Sequence, residues 1–194
     1  MYICIVKRHF NTHIEGLDLE FWHDFIESRG ELVTLRKNEC LCRRGEPTKI
    51  CGYVKSGYLI YGMSGSRYSN IGGFAFSDAL WGDDPNCLYN APASFDLIVG
   101  RKSEIWVMDA TILPAMYEED MYLCNQGRLF MESAYRSLLH RYRMFCTNTP
   151  AECYRDLIRE HPQIEQDVPQ SEIARYLRIS PTHLCRIRKE NLNP

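Results

Sequence analysis

Residues 169–189 read Pro-Gln-Ser-Glu-Ile-Ala-Arg-Tyr-Leu-Arg-Ile-Ser-Pro-Thr-His-Leu-Cys-Arg-Ile-Arg-Lys, a pattern typical of two short helices joined by a tight turn. Ala174 is small enough to let the two helices cross closely. Ser180 suits the N-cap of the second helix, and Pro181 suits its first position. The apolar residues that the two helices can share are Ile173, Leu177, Ile179, Leu184 and Ile187. The stretch therefore predicts a helix-turn-helix.

The charge of this stretch differs from that of the whole chain. Residues 171–189 hold five arginines and lysines against the single acid Glu172, although the 194-residue chain has a net charge of -2. Nucleic-acid binding depends on such local cationic surfaces, so the overall charge does not exclude it. The alternative is a pair of surface helices whose cations are merely solvated. Arg178 stands where such turns commonly have glycine, which predicts strain if the turn needs a left-handed residue.

Composition narrows the class of protein. Apolar residues make up 45% of the chain and aromatic residues 12%, which favours a folded globular protein. No apolar run approaches the roughly 18 to 20 residues that cross a bilayer. Residues 1–10 do not resemble a secretion signal, because Lys7 and Arg8 interrupt them. Nine irregularly spaced cysteines favour free thiols, so we expect a cytoplasmic protein.

Upstream of the helix-turn-helix, the spacing of apolar and turn-forming residues divides the sequence into two zones. Over about residues 32–109, short apolar runs alternate with Gly, Pro, Asn and Asp turns, which predicts an antiparallel β sandwich or barrel. A short helix is predicted before it, within residues 17–28. From about residue 115 to residue 146 the apolar period becomes helical.

The helical zone contains apolar residues spaced alternately four and three apart, as in the seam of a coiled coil. These residues are Met131, Tyr135, Leu138, Tyr142 and Phe145. A helix of about 30 residues would be roughly 45 Å long, which exceeds the barrel that precedes it. We therefore favour a helix that pairs with a second copy of the chain; the alternative is a helix packed entirely on its own barrel.

Taken together, these features resemble the CRP/FNR superfamily of bacterial transcription regulators, in the cyclic-nucleotide-binding-like branch common in Bacteroidetes. The residues that carry the resemblance are 149–157, 160–162 and 169–189 and, in the strand-rich zone, 37–39, 44–47 and 53–57. The resemblance implies an α+β protein with an antiparallel β jelly-roll sensor (1–114), a long dimerisation helix (115–147) and a helix-turn-helix domain (148–194). It also implies a homodimer that reads an inverted repeat in double-stranded DNA through helix 180–190, with RNA polymerase as a further partner.

The resemblance also assigns DNA-contacting residues. The family's base-reading positions fall on Pro181, Thr182 and Arg186, and an arginine can contact a guanine edge with two hydrogen bonds. Residues at the family's phosphate-contacting positions are Gln170, Ser171, Ser180 and His183, and Arg188 and Lys189 add exposed cations to the same helix. Only eight residues separate His161 from Gln170, so we expect the family's hairpin wing to be short or absent.

For a cyclic nucleotide the resemblance is incomplete. The turn that holds the ribose in cyclic AMP-binding relatives corresponds to Trp81, Gly82 and Asp83, and Ala93, followed by Ser94, stands where those relatives have a phosphate-binding arginine. A cyclic phosphate facing no cation would lose a charge-assisted hydrogen bond worth about 1.5 to 3 kcal/mol. These five residues define the predicted ligand pocket, and we expect no cyclic AMP dependence and no cofactor. Possible substitute cations are Arg67 and Arg101, and possible lining aromatics are Tyr89 and Phe95.

Three other functions are alternatives to DNA reading. An iron–sulfur cluster would have to use Cys40, Cys42 and Cys51, since the N-terminal arm has only Cys4. A metal-dependent jelly-roll enzyme would need histidine ligands, and none occurs between His23 and His140, so we expect no enzyme and no metal. A degenerate sensor that acts through protein–protein contacts remains the principal alternative.

Overall fold

The computed structural model describes residues 16–63 and 70–192, the last two by their backbone alone. Arg67 and Cys4 therefore lie outside the described residues. Within these described residues, eight strands form two four-stranded antiparallel sheets with the orders β1-β8-β3-β6 and β2-β7-β4-β5. The strands are β1 (Glu31–Leu35), β2 (Cys40–Cys42), β3 (Ile50–Ser56), β4 (Tyr58–Met63), β5 (Asn70–Phe76), β6 (Leu80–Trp81), β7 (Asp96–Val99) and β8 (Ser103–Asp109).

These two sheets confirm the predicted β jelly roll, hereafter the barrel (residues 31–109). Its core contains fully buried apolar side chains from both sheets, among them Val54, Leu59, Leu97 and Ile105. Strands β2 and β6 are too short to give a sequence pattern, and the Gly72-Gly73 pair lowers the strand propensity of β5. Those three strands were accordingly not predicted.

Helix α1 (Leu19–Glu27) confirms the short helix that the sequence predicted, and it packs on one side of the barrel. Asp18 caps it, because its carboxylate accepts a hydrogen bond from the Phe21 amide at 2.9 Å. Trp22 and Ile26 lie in a core cluster with Tyr53 and Met108 of the barrel.

The predicted helix 115–147 is divided into two. Helix α2 (Leu113–Glu119) ends at Asp120, whose backbone is extended, and helix α3 (Met121–Thr147) begins there. The Asp120 carboxylate accepts hydrogen bonds from the amides of Tyr122 and Leu123 at 2.9 and 3.0 Å. This N-cap starts a new helix, so the single continuous helix is corrected to a short one and a 27-residue one, the latter about 40 Å long.

The C-terminal residues 150–192, hereafter the head, are helical. The helices are α4 (Pro150–Glu160), α5 (Ile164–Asp167), α6 (Gln170–Tyr176) and α7 (Pro181–Leu192). Thr149 and Glu152 form the reciprocal capping box that starts α4, and α4 ends before His161, as predicted. Residues 161–169 hold the single turn of α5 and no strand, so no hairpin wing is present there.

The head packs directly on the outer face of the barrel. Ile71 and Phe74 of β5 share one buried cluster with Ile173 and Tyr176 of α6, and the Phe74 and Tyr176 rings lie 5.6 Å apart. The barrel and the head therefore share a hydrophobic core. Among the helices of residues 16–63 and 70–192, none is both long and apolar enough to cross a bilayer.

Candidate DNA-binding surface and effector cavity

The turn between α6 and α7 requires a left-handed residue, a question that the sequence left open. Arg178 has a φ of 60°, in the left-handed region where glycine is usual. A residue with a Cβ costs about 1 to 2 kcal/mol there. The Arg178 guanidinium lies 4.6 Å from the centre of the Phe145 ring on α3, which gives the strained residue a stabilising cation–π contact.

Local hydrogen bonds and burial hold α7 in place. The Ser180 hydroxyl accepts a hydrogen bond from the His183 amide at 3.1 Å, as expected for an N-cap. Leu184 and Ile187 are buried against α6, so the opposite side of α7 is turned to solvent. His183, between the two sides, is half-buried.

The exposed side of α7 carries the residues predicted to read bases. Pro181, Thr182, Arg186 and Lys189 are all exposed, and the last three are spaced four and three residues apart, on one face of the helix. The Arg186 side chain is 70% exposed, and its described ion-pair partner is the equally exposed Glu190 at 3.9 Å. Cys185 is exposed on the same face, although the sequence pattern assigned it no role. We name Thr182, Cys185, Arg186 and Lys189 the reading face.

Arg188 lies elsewhere. Its Nε is 2.7 Å from Oε1 of Glu165 on α5, and the same oxygen accepts a hydrogen bond from the Tyr154 hydroxyl at 2.8 Å. Burial and the bond to Glu165 raise the pKa of Tyr154 to about 12. The structure therefore places Arg188 in an ion pair that ties α7 to α5 and α4. Sequence reasoning missed Glu165 because its helix is a single turn.

Gln170 and Ser171, the predicted phosphate contacts on α6, are both exposed. Gln170 lies at the mouth of a cleft between the head and the barrel, which Lys37 and Arg101 also line. Arg101 is 3.8 Å from the Asp167 carboxylate across this cleft. It therefore does not reach the predicted ligand pocket.

A cavity of about 400 Å³ lies between the barrel, α3 and the head. Its walls are mostly apolar and include Tyr61 and Phe95 from the barrel and Phe130 from α3. The head contributes Leu157, Glu160, His161 and Tyr176, so an occupant would touch all three parts of the chain. This volume lies within the range usual for small-molecule sites.

The predicted pocket residues do not all reach this cavity. Gly82 and Asp83 line it, whereas Trp81 is 2% exposed in the barrel core. Ala93 is buried, and its backbone forms hydrogen bonds with residues 45 and 46. The Ser94 amide donates a hydrogen bond to the Asp83 carboxylate. Tyr89, the other possible aromatic, is on the surface. The sequence placed these residues together by family correspondence, whereas in the structure Trp81 and Ala93 are buried away from the cavity that Gly82 and Asp83 line.

The Asp83 carboxylate accepts hydrogen bonds from neighbouring residues of the barrel rather than from groups in the cavity. Its Oδ2 accepts hydrogen bonds from the Ser94 amide at 2.6 Å and from the Asn86 side-chain amide at 3.3 Å. Arg141 is the one arginine or lysine among the described residues that line the cavity. Its Nη2 donates to the carbonyl oxygens of Ile71 at 2.7 Å and Tyr176 at 3.3 Å. Burial lowers the pKa of Arg141 to about 10, so it stays cationic at neutral pH while bonded to the protein's own backbone.

Comparison with known proteins identifies the architecture. No protein-family model matches the chain, and no curated protein matches its sequence. Among solved structures it is similar to FixK2 from Bradyrhizobium japonicum, with a TM-score of 0.70 and 14% identity over 83% of each chain. It is also similar to the c-di-GMP-responsive regulator CLP from Xanthomonas campestris (TM-score 0.64, 13% identity, 90% of this chain and 92% of that one). A transcriptional regulator of the CRP/FNR family from Eubacterium rectale matches with a TM-score of 0.66 and 13% identity over 86% and 80% of the two chains.

The chain has the fold of the CRP/FNR regulators.

Within this CRP/FNR fold, α3 presents an apolar surface stripe, which we define as Met131, Tyr135, Leu138 and Tyr142. Tyr135, Leu138 and Tyr142 are each more than 60% exposed, and Met131 is 39% exposed. Phe145, the fifth predicted seam residue, is half-buried instead, because it packs on the core that the head and barrel share. The stripe therefore ends at Tyr142, about two helical turns before the head.

The cavity of this CRP/FNR fold includes an unusual carboxyl group, Asp84. Burial raises its pKa, and its described hydrogen-bond donor is the Cys87 thiol, 3.4 Å from Oδ1. A thiol is a weak donor, so an ionised carboxylate is poorly stabilised there. Among the described residues, no three His, Cys, Asp or Glu side chains are grouped so that they could hold a metal ion.

Replacing Asp84 with asparagine is expected to raise the thermal stability at neutral pH. A carboxyl whose folded-state pKa is raised keeps its proton more tightly when folded, so stability falls as pH rises from the unfolded pKa through the folded one. The advantage of the Asp84→Asn variant should shrink as pH falls toward the unfolded-state pKa of about 3.9, because the folded carboxyl takes up its proton before the unfolded one does. Calorimetric unfolding across pH measures this. The exposed Asp24→Asn on α1 is the control, and parallel pH profiles for wild type and Asp84→Asn would contradict the expectation.

Proposed function

We propose that the protein is a DNA-binding transcription regulator of the CRP/FNR type, a homodimer and not an enzyme. The observation that carries the proposal is the reading face of α7, where Thr182, Arg186 and Lys189 are exposed together on a helix whose other side is buried. A helix presented in this way fits the major groove of DNA. Arg186 would contact a guanine edge, and Lys189 a phosphate.

The homodimer is supported by the stripe on α3. Its residues repeat with the spacing of a coiled-coil seam and expose large apolar side chains that a second copy would bury. Paired α3 helices would place two heads side by side, with their α7 helices about 34 Å apart, one turn of DNA. Such a dimer would read an inverted repeat.

The cavity supports a largely apolar effector over a cyclic nucleotide. Its one described arginine, Arg141, is bonded to backbone carbonyls, and Asp83 and Glu160 add carboxyl groups that repel a phosphate. Aromatic, methionine and leucine side chains supply most of the remaining wall. Through Leu157 and Tyr176 an occupant would act on the head directly.

Cyclic AMP at millimolar concentration is expected to leave the thermal unfolding midpoint unchanged. A ligand that binds only the folded state stabilises it in proportion to RT ln(1 + [L]/Kd), so tight binding would raise the midpoint clearly. Differential scanning fluorimetry measures the effect, with 5′-AMP as the control for unspecific nucleotide binding. A midpoint raised by cyclic AMP alone would contradict the reasoning from Ala93.

The function is tested by selecting DNA from a randomised pool with the purified protein and sequencing what is retained. We expect an enriched palindrome whose affinity falls as salt rises, because phosphate contacts release counterions. Retention of no sequence over background would refute DNA reading. It would favour the alternative of a sensor that acts through protein–protein contacts.

A further inference from the structure

Two polar contacts hold α6 of the head to the rest of the chain. The first is at the beginning of α6, where the Tyr58 hydroxyl on β4 donates a hydrogen bond to Oε2 of Glu172 at 2.9 Å. Both side chains are buried, Tyr58 to 1% and Glu172 to 7% exposure. Lys37 of the barrel lies 4.0 Å from the other oxygen of the Glu172 carboxylate. This carboxylate is therefore held between two barrel side chains.

The second contact is at the end of α6. The guanidinium of Arg141 on α3 donates to the Tyr176 carbonyl of α6 and to the Ile71 carbonyl of β5, and it stacks 3.8 Å from the centre of the Tyr176 ring. A single side chain thus joins the long helix, the barrel and the head. Because α6 packs on α7 through Leu184 and Ile187, fixing α6 also fixes the direction of the reading face.

Apolar packing alone would not fix that direction. The buried contact of Phe74 and Ile71 with Ile173 and Tyr176 is favourable over a range of small rotations and slides, because the hydrophobic effect is not directional. Hydrogen bonds, including the two that Arg141 donates, are directional. A buried carboxylate that lacks its donors also costs free energy. The polar contacts at the two ends of α6 therefore select one orientation of the head on the barrel.

We propose that Tyr58, Glu172 and Arg141 are positioning residues that set the half-site spacing at which the dimer reads DNA. The proposal rests on the proposed function. These contacts fix each head on its own barrel. The distance between the two reading faces is then set jointly by the α3 pair and by the polar contacts at the two ends of α6. A loosened head would adapt to operators with other spacings.

The test compares operators in which the palindrome selected by the wild-type protein has its central spacer lengthened or shortened by one or two base pairs. Each base pair moves a half-site by about 3.4 Å and rotates it around the duplex. We expect the wild type to lose roughly tenfold or more in affinity per base pair, since one half-site then loses its base contacts. The Tyr58→Phe variant, which lacks only the hydroxyl, should lose about threefold or less, with its affinity for an isolated half-site unchanged.

Three further variants separate positioning from folding. Tyr53→Phe is the matched control, because Tyr53 is also a buried barrel tyrosine bonded to a carboxylate, that of Glu27, on the side of α1. Glu172→Gln keeps an oxygen that accepts from Tyr58 and should keep wild-type spacer selectivity. If Tyr58→Phe does not fold, the double variant Tyr58→Phe/Glu172→Leu removes the buried charge with its partner and serves in its place.

Folded variants that retain the wild-type spacer dependence would overturn the positioning role while leaving DNA reading intact. Equal loosening by the Tyr53→Phe control would overturn it as well, because the effect would then be general destabilisation. Failure of the wild type to select any operator refutes the proposed function itself and this inference with it. The two failures are thus distinguished by the wild-type protein alone.

Discussion

Replacing Leu138 with aspartate is expected to convert the proposed dimer to monomers. Leu138 lies at the centre of the stripe on α3 and is 63% exposed in the single chain, so a partner helix would bury it. In a paired seam the introduced carboxylates would face each other in an apolar layer, where an unpaired charge costs several kcal/mol. Without the second head the protein contacts one half-site, and we expect operator affinity to fall by about three orders of magnitude, toward unspecific binding.

Sedimentation at several protein concentrations, together with operator titration, measures both effects. Leu138→Met is the matched control, since it keeps an apolar side chain of similar volume and should remain dimeric. Because Leu138 also lines the cavity, circular dichroism must show that the aspartate variant is folded. A folded Leu138→Asp variant that stays dimeric would place the interface on another surface.

Replacing Arg186 with alanine is expected to cost about 1 to 3 kcal/mol per half-site and to relax the base preference at the position it contacts. Over the two half-sites of a dimer this corresponds to a loss of about 30-fold to more than 10⁴-fold in affinity. The stability of the protein should hardly change, because the side chain is 70% exposed and pairs only weakly with Glu190.

Lys189→Ala is the comparison on the same face of α7. A lysine on a phosphate contributes equally to all sequences, so its removal should weaken binding uniformly and reduce the salt dependence. Affinities are measured against the selected operator and against single-base variants of it. An Arg186→Ala protein that binds as tightly and as selectively as the wild type would assign base reading to another element.

The helical signals of the head could be predicted because they are local. The Thr149 capping box and the Ser180 cap involve groups only three residues apart, so the sequence pattern contains both partners. The Asp120 cap that divides the long helix is equally local. Asp120, a residue type favoured at N-caps and lying within the predicted helical zone, was the signal that could have identified it.

The candidate sites depend on partners that are distant in sequence. Glu165 forms an ion pair with Arg188, and the Phe145 ring makes a cation–π contact with Arg178. A linear sequence pattern reveals neither contact. The cavity likewise differs from the pocket inferred by family correspondence. Trp81 belongs to the barrel core, and Arg141, 70 residues from its Ile71 partner, lies in the cavity wall.

From its order of residues alone, the chain could be assigned a barrel, a long apolar helix and a cationic helix-turn-helix, because caps, turns and apolar periods act over a few residues. Folding in three dimensions decided how the head sits on the barrel and which cations remain exposed. The hydrogen bond from Tyr58 to Glu172 joins residues 114 positions apart. Such a contact depends on how the sheets and helices pack as a whole, and no short stretch of sequence encodes it.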